Sequence, residues 1–256
     1  MTGDFAAADA TASRLEVLAE TGSTNADLRD RADDVERWPH LSALITRNQT
    51  AGRGRLDRTW VAPDGASLAI SVLLRALPAD AAARGWIPLA AGAAMAEAVA
   101  AQLPGHDVAL KWPNDVLVDG RKICGILAEA TTDAVIVGSG VNTAMTAEQL
   151  PVPTATSFVV LGVDVDEDRL VAEYLRALDA HISALAATDD AVASGLHAAV
   201  TARCATLGVA VRVSLPGERV LEGVATALDA QGRLLVSADG SVHAVSAGDV
   251  VHVRPA

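Results

Sequence analysis

Four short apolar runs, VALKW, VLV, ICGILAEA and AVIVGSGVN, succeed one another between Val108 and Asn142 with only brief polar turns between them. Asp119-Gly120 joins the second run to the third, and that dipeptide is a strong two-residue hairpin signal. AVIVGSGVN follows a short Thr131-Thr132-Asp133 turn and is expected to pair antiparallel to ICGILAEA. The middle of the chain is therefore committed to an antiparallel sheet. Around it, RLEVLAE, LSALITRNQ and SLAISVLLR read as further strands. Ser23 or Thr24 caps a helix running to about Trp38, with Asp27 supporting its first turn. An Ala-rich helix is expected over 78–102, and two more over 166–186 and 190–206, with Gly208 as a stop. The segment before Arg14 reads as a loose start, and TAGRGRLDRTWVAPDGA as a stretch without period. From Val211 onward short alternating strands (VRVSL, VLEGVATAL, RLLVSA, VHAVS, VVHVR) suggest a small second β-barrel domain.

The 256 residues are 51% apolar, enough to bury a sizeable core, and carry a net charge of −12. That balance opposes broad nucleic-acid binding, which needs a basic face. Positive charge is nevertheless concentrated in two places: Arg47, Arg53, Arg55 and Arg58 crowd one segment, and Lys111, Arg121 and Lys122 another. Two local basic patches on an acidic protein suit a small anion better than a duplex. Cys124 and Cys204 have no partner pattern and read as packed, reduced thiols. The N-terminus lacks the apolar core of a signal peptide, and the longest apolar run is mostly alanine and carries Glu97. A cytoplasmic protein with no membrane span is expected.

Lys111 and Lys122 are the chain's two lysines; the other basic residues are arginines. An ammonium is a compact movable charge and a guanidinium a rigid fork, so the two are not equivalent at a phosphate or carboxylate. The pair therefore reads either as exposed charge or as chemistry. GxxxxGK[ST], a completed GxGxxG, a nucleophile elbow at Ser67 and HExxH are all missing. What remains is a set of anion-binding loops. In TAGRGR the glycines allow close backbone approach while Arg53 and Arg55 neutralise charge. Trp60 serves either as core or as a stacking platform. KWPND puts Lys111 at a strand end, turns the chain with Pro113 and presents Asn114 and Asp115, while in GSGVN Asn142 is either a turn residue or a ligand contact.

Taken in order, TGSTN, NQTAGRGRLDRTW, GASLAISVLLR, KWPNDVLVDGRKICGILAEA and GSGVN, with the C-terminal barrel, resemble the biotin protein ligase family, most strongly over residues 20–145. The resemblance implies an α+β fold: a mixed, largely antiparallel sheet with helices, related to class II aminoacyl-tRNA synthetases, over 1–208, and an SH3-like barrel over 209–256. It implies an enzyme that makes biotinyl-5′-AMP from biotin and ATP, with Mg2+ accompanying ATP. Biotin is then passed to a lysine on the biotin carboxyl carrier domain of an acyl-CoA carboxylase. By the same resemblance Ser23, Thr24, Asn25, Gln49, Gly52, Arg53, Gly54, Arg55, Lys122, Gly125, Gly138 and Gly140 surround biotin. Arg55, Trp60, Lys111, Asn114, Asp115 and Asn142 face ATP, and Lys111, Arg55 and Lys122 are the catalytic cations. Activating a carboxylate on an α-phosphate brings two anions together, so fixed cations are the main requirement. The loop carrying Gly52, Gly54 and Gly65 is expected to order on ligand.

Two departures stand out. The family loop commonly reads GRGRRGR or GRGRHGR, where this chain has Leu56 and Asp57. Many members also carry an N-terminal helix-turn-helix, whereas only about twenty residues precede the first motif here, too few for that module. A DNA-binding biotin-sensing repressor is therefore disfavoured, and a monomer or weak homodimer is expected. A lipoate or octanoate ligase of the same catalytic fold is the nearest alternative, and the GRGR…W loop with KWPND favours biotin.

Overall fold

The computed structural model describes residues 3–55, 58–215, 219–246 and 249–252. In chain order its elements are α1 (Ala6–Asp9), β1 (Arg14–Leu18), α2 (Thr24–Arg31), β2 (Ser42–Thr46), β3 (Gly52–Arg53), β4 (Thr59–Trp60), β5 (Leu68–Leu74) and α3 (Ile87–Ala100). There follow β6 (Val108–Lys111), β7 (Asp115–Val118), β8 (Arg121–Ala130), β9 (Val135–Val141), α4 (Glu167–Thr188) and α5 (Leu196–Arg203). The last five are β10 (Ala210–Leu215), β11 (Arg219–Leu228), β12 (Leu234–Ala238), β13 (Ser241–Val245) and β14 (Asp249–His252).

The large sheet has the order β1-β2-β5-β9-β8-β7-β6. Only β1 and β2 run parallel, joined through α2; every other pairing is antiparallel. Asp119 and Gly120 both take positive φ, 49° and 74°, which is the backbone a two-residue hairpin between β7 and β8 demands. One face of this sheet packs on α3 and α4. Ile70, Val72, Cys124, Ile126 and Val137 share one core with the apolar stripe Leu170, Tyr174, Leu178, Ile182 and Leu185, whose spacing places it along one side of α4. Both cysteines are free and buried, and burial pushes the Cys124 thiol up to about 12. The five C-terminal strands form a separate antiparallel sheet, β13-β12-β11-β10-β14, of the small SH3-like kind. Trp86 and Trp112 tie it down by donating Nε1–H to the carbonyls of Ala230 (2.8 Å) and Gly232 (3.0 Å). Among the described residues no helix is long and apolar enough to cross a membrane.

Four sequence expectations need correction. Helix α2 stops at Arg31, not near Trp38. Continuing it would set Asp33, Asp34 and Glu36 at the negative end of the helix dipole, and Trp38 is instead buried from a turn beneath the guanidiniums of Arg14 and Arg31. Helix α3 starts only at Ile87, after a 3-10 turn, with Pro88 in its first turn. Helix α5 is shortened by Gly195, whose φ is 81°, and by Cys204, which turns extended to bridge Leu110. The start of the chain is not loose. Phe5 and Ala8 are fully buried, Arg47 lies over the Phe5 ring, and the Asp168 carboxylate accepts the backbone N–H groups of Ala7 (3.0 Å) and Ala8 (2.8 Å). Leu56 and Asp57, and the end of the expected last strand, lie outside the described residues.

If this N-terminal anchor belongs to the core, Phe5→Ala should cost about 3–5 kcal/mol of stability, the range for emptying a buried aromatic site. Urea unfolding at constant m checks it, and a change below about 1 kcal/mol would return the segment to a loose tail.

Candidate active site

Register fixes where a cavity can lie. Leu44, Leu73 and Ile136, on the sheet face away from α3 and α4, pack under Leu28, Ala32 and Trp38, so α2 and the turn after it seal that part. Further along the same face the side chains shrink. Asp115, Gly125, Gly140 and Ala69 stand directly opposite one another across β7, β8, β9 and β5. Leu127, Gly138 and Ser71 form the next row. A floor of Gly, Ala and Ser beside a sealed helix leaves a cavity of about 200 Å³. The glycines are required for space: a Cβ on Gly138 would lie 2.4 Å from Asn25 Oδ1, and one on Gly140 2.8 Å from the Trp60 ring.

The first turn of α2 forms one wall. Ser23 caps it, its Oγ accepting from the Ala26 N–H, and Gln49 Oε1 accepts from Thr24 N (2.9 Å) and lies 3.1 Å from Thr24 Oγ1. The buried Ser71 hydroxyl lies 2.7 Å from Thr24 Oγ1 and 2.6 Å from Asn25 Oδ1. Asn25 Nδ2 donates to the Leu127 carbonyl (3.3 Å) and to Glu129 Oε2 (2.7 Å). Each buried polar group has a partner inside the wall, so the network holds its shape without ligand.

The opposite wall is cationic. A register shift between β7 and β8 inserts one extra residue, so Leu117 faces Lys122 while Asp115 still faces Gly125. Such a bulge re-aims a side chain. Without it, strict alternation would set Lys122 on the face opposite Gly125; with it, the ammonium lies over Gly125, 2.6 Å from Asp115 Oδ1. Asn114 is anchored twice to Ile126, Nδ2 donating to its carbonyl (2.8 Å) and the Asn114 carbonyl accepting its N–H (2.9 Å), and it accepts from Arg55 at 3.0 Å. The stretch from Thr50 to Gly65, expected to be aperiodic, contains the β3–β4 hairpin, which brings Arg53, Arg58 and Trp60 to the cavity rim.

All the expected site residues except Gly52, Lys111 and Asn142 line this cavity. Gly52 lies behind the hairpin against Gln49 and Trp60. Asn142 is buried, its Nδ2 donating to the Thr156 carbonyl (2.9 Å). Lys111 stands one strand beyond Asp115 on the same face, toward β14; burial first, and then the Lys111 charge, lower the pKa of His252 there. Trp60, expected on the ATP side, shares the cavity with the residues expected around biotin. Arg58, expected in a basic patch, lines the cavity, and Ser71 and Glu129 support its wall without having been expected there. A serine inside the apolar run SLAISVLLR is a readable signal for Ser71. Glu129 reaches its partners only through tertiary contact, and no local pattern marks it.

A preformed cavity with a floor of small residues and three placed cations is what an enzyme activating a small carboxylate requires. Residues 18–142 match the biotin/lipoate A/B protein ligase family, and 206–253 the biotin protein ligase C-terminal domain. The chain is 42% identical over 244 residues to the biotin–[acetyl-CoA-carboxylase] ligase of Mycobacterium tuberculosis, covering 94% of this chain and 90% of that one. It is 32% identical to the bifunctional ligase/repressor BirA of Escherichia coli, covering 91% of this chain and 72% of that one. The solved biotin protein ligase of Aquifex aeolicus in complex with biotin and ATP superposes with a TM-score of 0.76 at 25% identity, over 95% of this chain and all of that one. The chain belongs to the biotin protein ligase family and is a ligase.

Because the floor has no spare volume at Gly140, Gly140→Ala should weaken binding of biotin, the ligand of the Aquifex complex, about ten- to two-hundredfold. Calorimetric dissociation constants measure the ratio, and an unchanged value would place the ligand elsewhere.

Proposed function

We propose that this protein adenylates biotin with ATP and then transfers the biotinyl group to a lysine of the biotin carboxyl carrier domain of an acyl-CoA carboxylase. The observation carrying this reading is the union of a small-residue floor with Lys122 and Arg55 at one end of the same cavity. In the first step a carboxylate oxygen of biotin attacks the α-phosphorus of ATP. The bond to the bridging oxygen breaks, and pyrophosphate leaves with its electron pair. In the second, the carrier's ε-amine attacks the acyl carbon, AMP departs and the new amide nitrogen loses a proton. No enzyme nucleophile takes part.

Lys122 and Arg55 offset the charge of carboxylate and α-phosphate as they meet, held by Asp115 and Asn114. We assign the biotin ring system to the floor of Gly125, Gly138 and Gly140, with Trp60 as a wall and Thr24, Asn25 and Gln49 as polar partners. Arg53 and Arg58 close the rim, and Lys111 is the outermost cation toward incoming phosphates. We take 1–208 as the catalytic domain and 209–256 as its barrel, and place the reaction in the cytoplasm, with a monomer or weak homodimer as the working unit and no role for DNA. The described residues contain no cluster of three His, Cys, Asp or Glu side chains able to hold a metal, and Asp115 is taken up by Lys122. A divalent cation would therefore arrive on the phosphates of ATP, and no step is routed through it.

Protein incubated with ATP and biotin should yield biotinyl-5′-AMP and pyrophosphate by mass spectrometry, while octanoate and lipoate yield neither. Adduct with lipoate instead of biotin would favour the lipoate ligase reading. Lys122→Ala should lose about 1.5–3 kcal/mol of biotin affinity, the loss of one charge-assisted contact. Unchanged affinity by calorimetry would remove Lys122 from the pocket.

A further inference from the structure

Glu129 stands at the seam between the sealed and open parts of the sheet face, on β8 opposite Ile136. One carboxylate there holds three elements together. Its Oε1 accepts from Arg29 of α2 at 2.9 Å; its Oε2 accepts from Asn25 of α2 at 2.7 Å and from Arg53 of the β3–β4 hairpin at 3.2 Å. Asn25 and Arg53 both line the cavity, yet Glu129 itself does not; it borders the neighbouring opening beside Arg53, Arg58 and Thr59. The carboxylate therefore acts on the cavity only through other side chains. Surface ion pairs usually contribute little. Here Oε2 is shared between a buried amide and a guanidinium, so the position of one is coupled to the other. Arg53 would otherwise swing freely on a two-residue strand, at a rotamer cost that ligand binding would have to offset.

We propose that Glu129 is a positioning residue for ligand capture. It sets the arginine hairpin over the cavity and fixes the Asn25 amide before the ligand arrives. This inference rests on the reading of the cavity as the biotin site, and it gives a role to a residue that lies within the KWPNDVLVDGRKICGILAEA stretch but was not assigned to the site.

A double-mutant cycle tests it on the full-length protein with biotin as titrant: Glu129→Gln, Arg53→Ala and both together. Glu129→Gln should weaken biotin binding about five- to twentyfold, and, because part of that loss runs through Arg53, the double variant should lose clearly less than the product of the two single losses. Glu129→Asp, which keeps the charge on a shorter arm, should recover part of the loss. Multiplying losses in the double variant, or an unaltered dissociation constant in Glu129→Gln, would overturn the proposal. Limited trypsin digestion of the ligand-free proteins supplies a second readout. Cleavage after Arg53, Arg55 and Arg58 should be several-fold faster in Glu129→Gln than in the parent, with other sites unchanged; equal rates would also overturn it. If Glu129→Gln does not fold, Glu129→Asp takes its place in both assays. If the parent protein binds no biotin, the reading of the site fails, and the digestion alone still decides whether Glu129 holds the hairpin.

Discussion

A sheet face in water has to be covered, and a binding cavity is a place where that covering is deliberately withheld. In this protein the division is written into strand alternation. Along β9 the residues on that face read Ile136, Gly138, Gly140; along β5 they read Leu73, Ser71, Ala69. The large residues lie under α2 and the small ones in the open. Everything else about the site follows from that gradient. The helix ends where the floor begins, so its capped N-terminal turn becomes a wall, and the hairpin bearing Arg53 and Trp60 has a shelf on which to close.

The second constraint is electrostatic. Bringing a carboxylate to a triphosphate requires cations that are already in place, since reorganising them during reaction would add to the barrier. Each placed cation has its own partner: Lys122 rests on Asp115, Arg55 on Asn114 and Arg53 on Glu129. Asp115 and Asn114 are adjacent residues of the turn into β7, so one short segment orients two cations. The cost of gathering positive charge is thus met by partners that also fix geometry.

Much of this was legible in the sequence. The run of strands through the middle, the hairpin at Asp119-Gly120, the long amphipathic α4 and the C-terminal barrel all rest on local pattern and were readable. Most of the motif residues lie around one cavity because adjacent strands, the first turn of α2 and the β3–β4 hairpin meet there. What escaped notice depends on long-range contact or on a break in periodicity. The bulge that turns Lys122 into the cavity contradicts the alternation of its own strand. Phe5 is buried by Arg47 and α4 rather than by any neighbour in sequence. Helix α2 ends on unfavourable acidic residues after a stretch whose composition alone suits a helix, and Glu129 looks like an ordinary strand charge until α2 and the β3–β4 hairpin converge on it. The two lysines also parted: one entered the cavity and the other stayed on the edge strand.

In this structure the place for ligand is the small-residue floor, with its carboxylate toward Lys122. A crystal structure of the protein soaked with biotin tests this most directly. Density is expected for the ring system over Gly125, Gly138 and Gly140, against Trp60, with a carboxylate oxygen within hydrogen-bonding distance of the Lys122 ammonium. Biotin bound elsewhere on the protein, with that floor left bare, would contradict it.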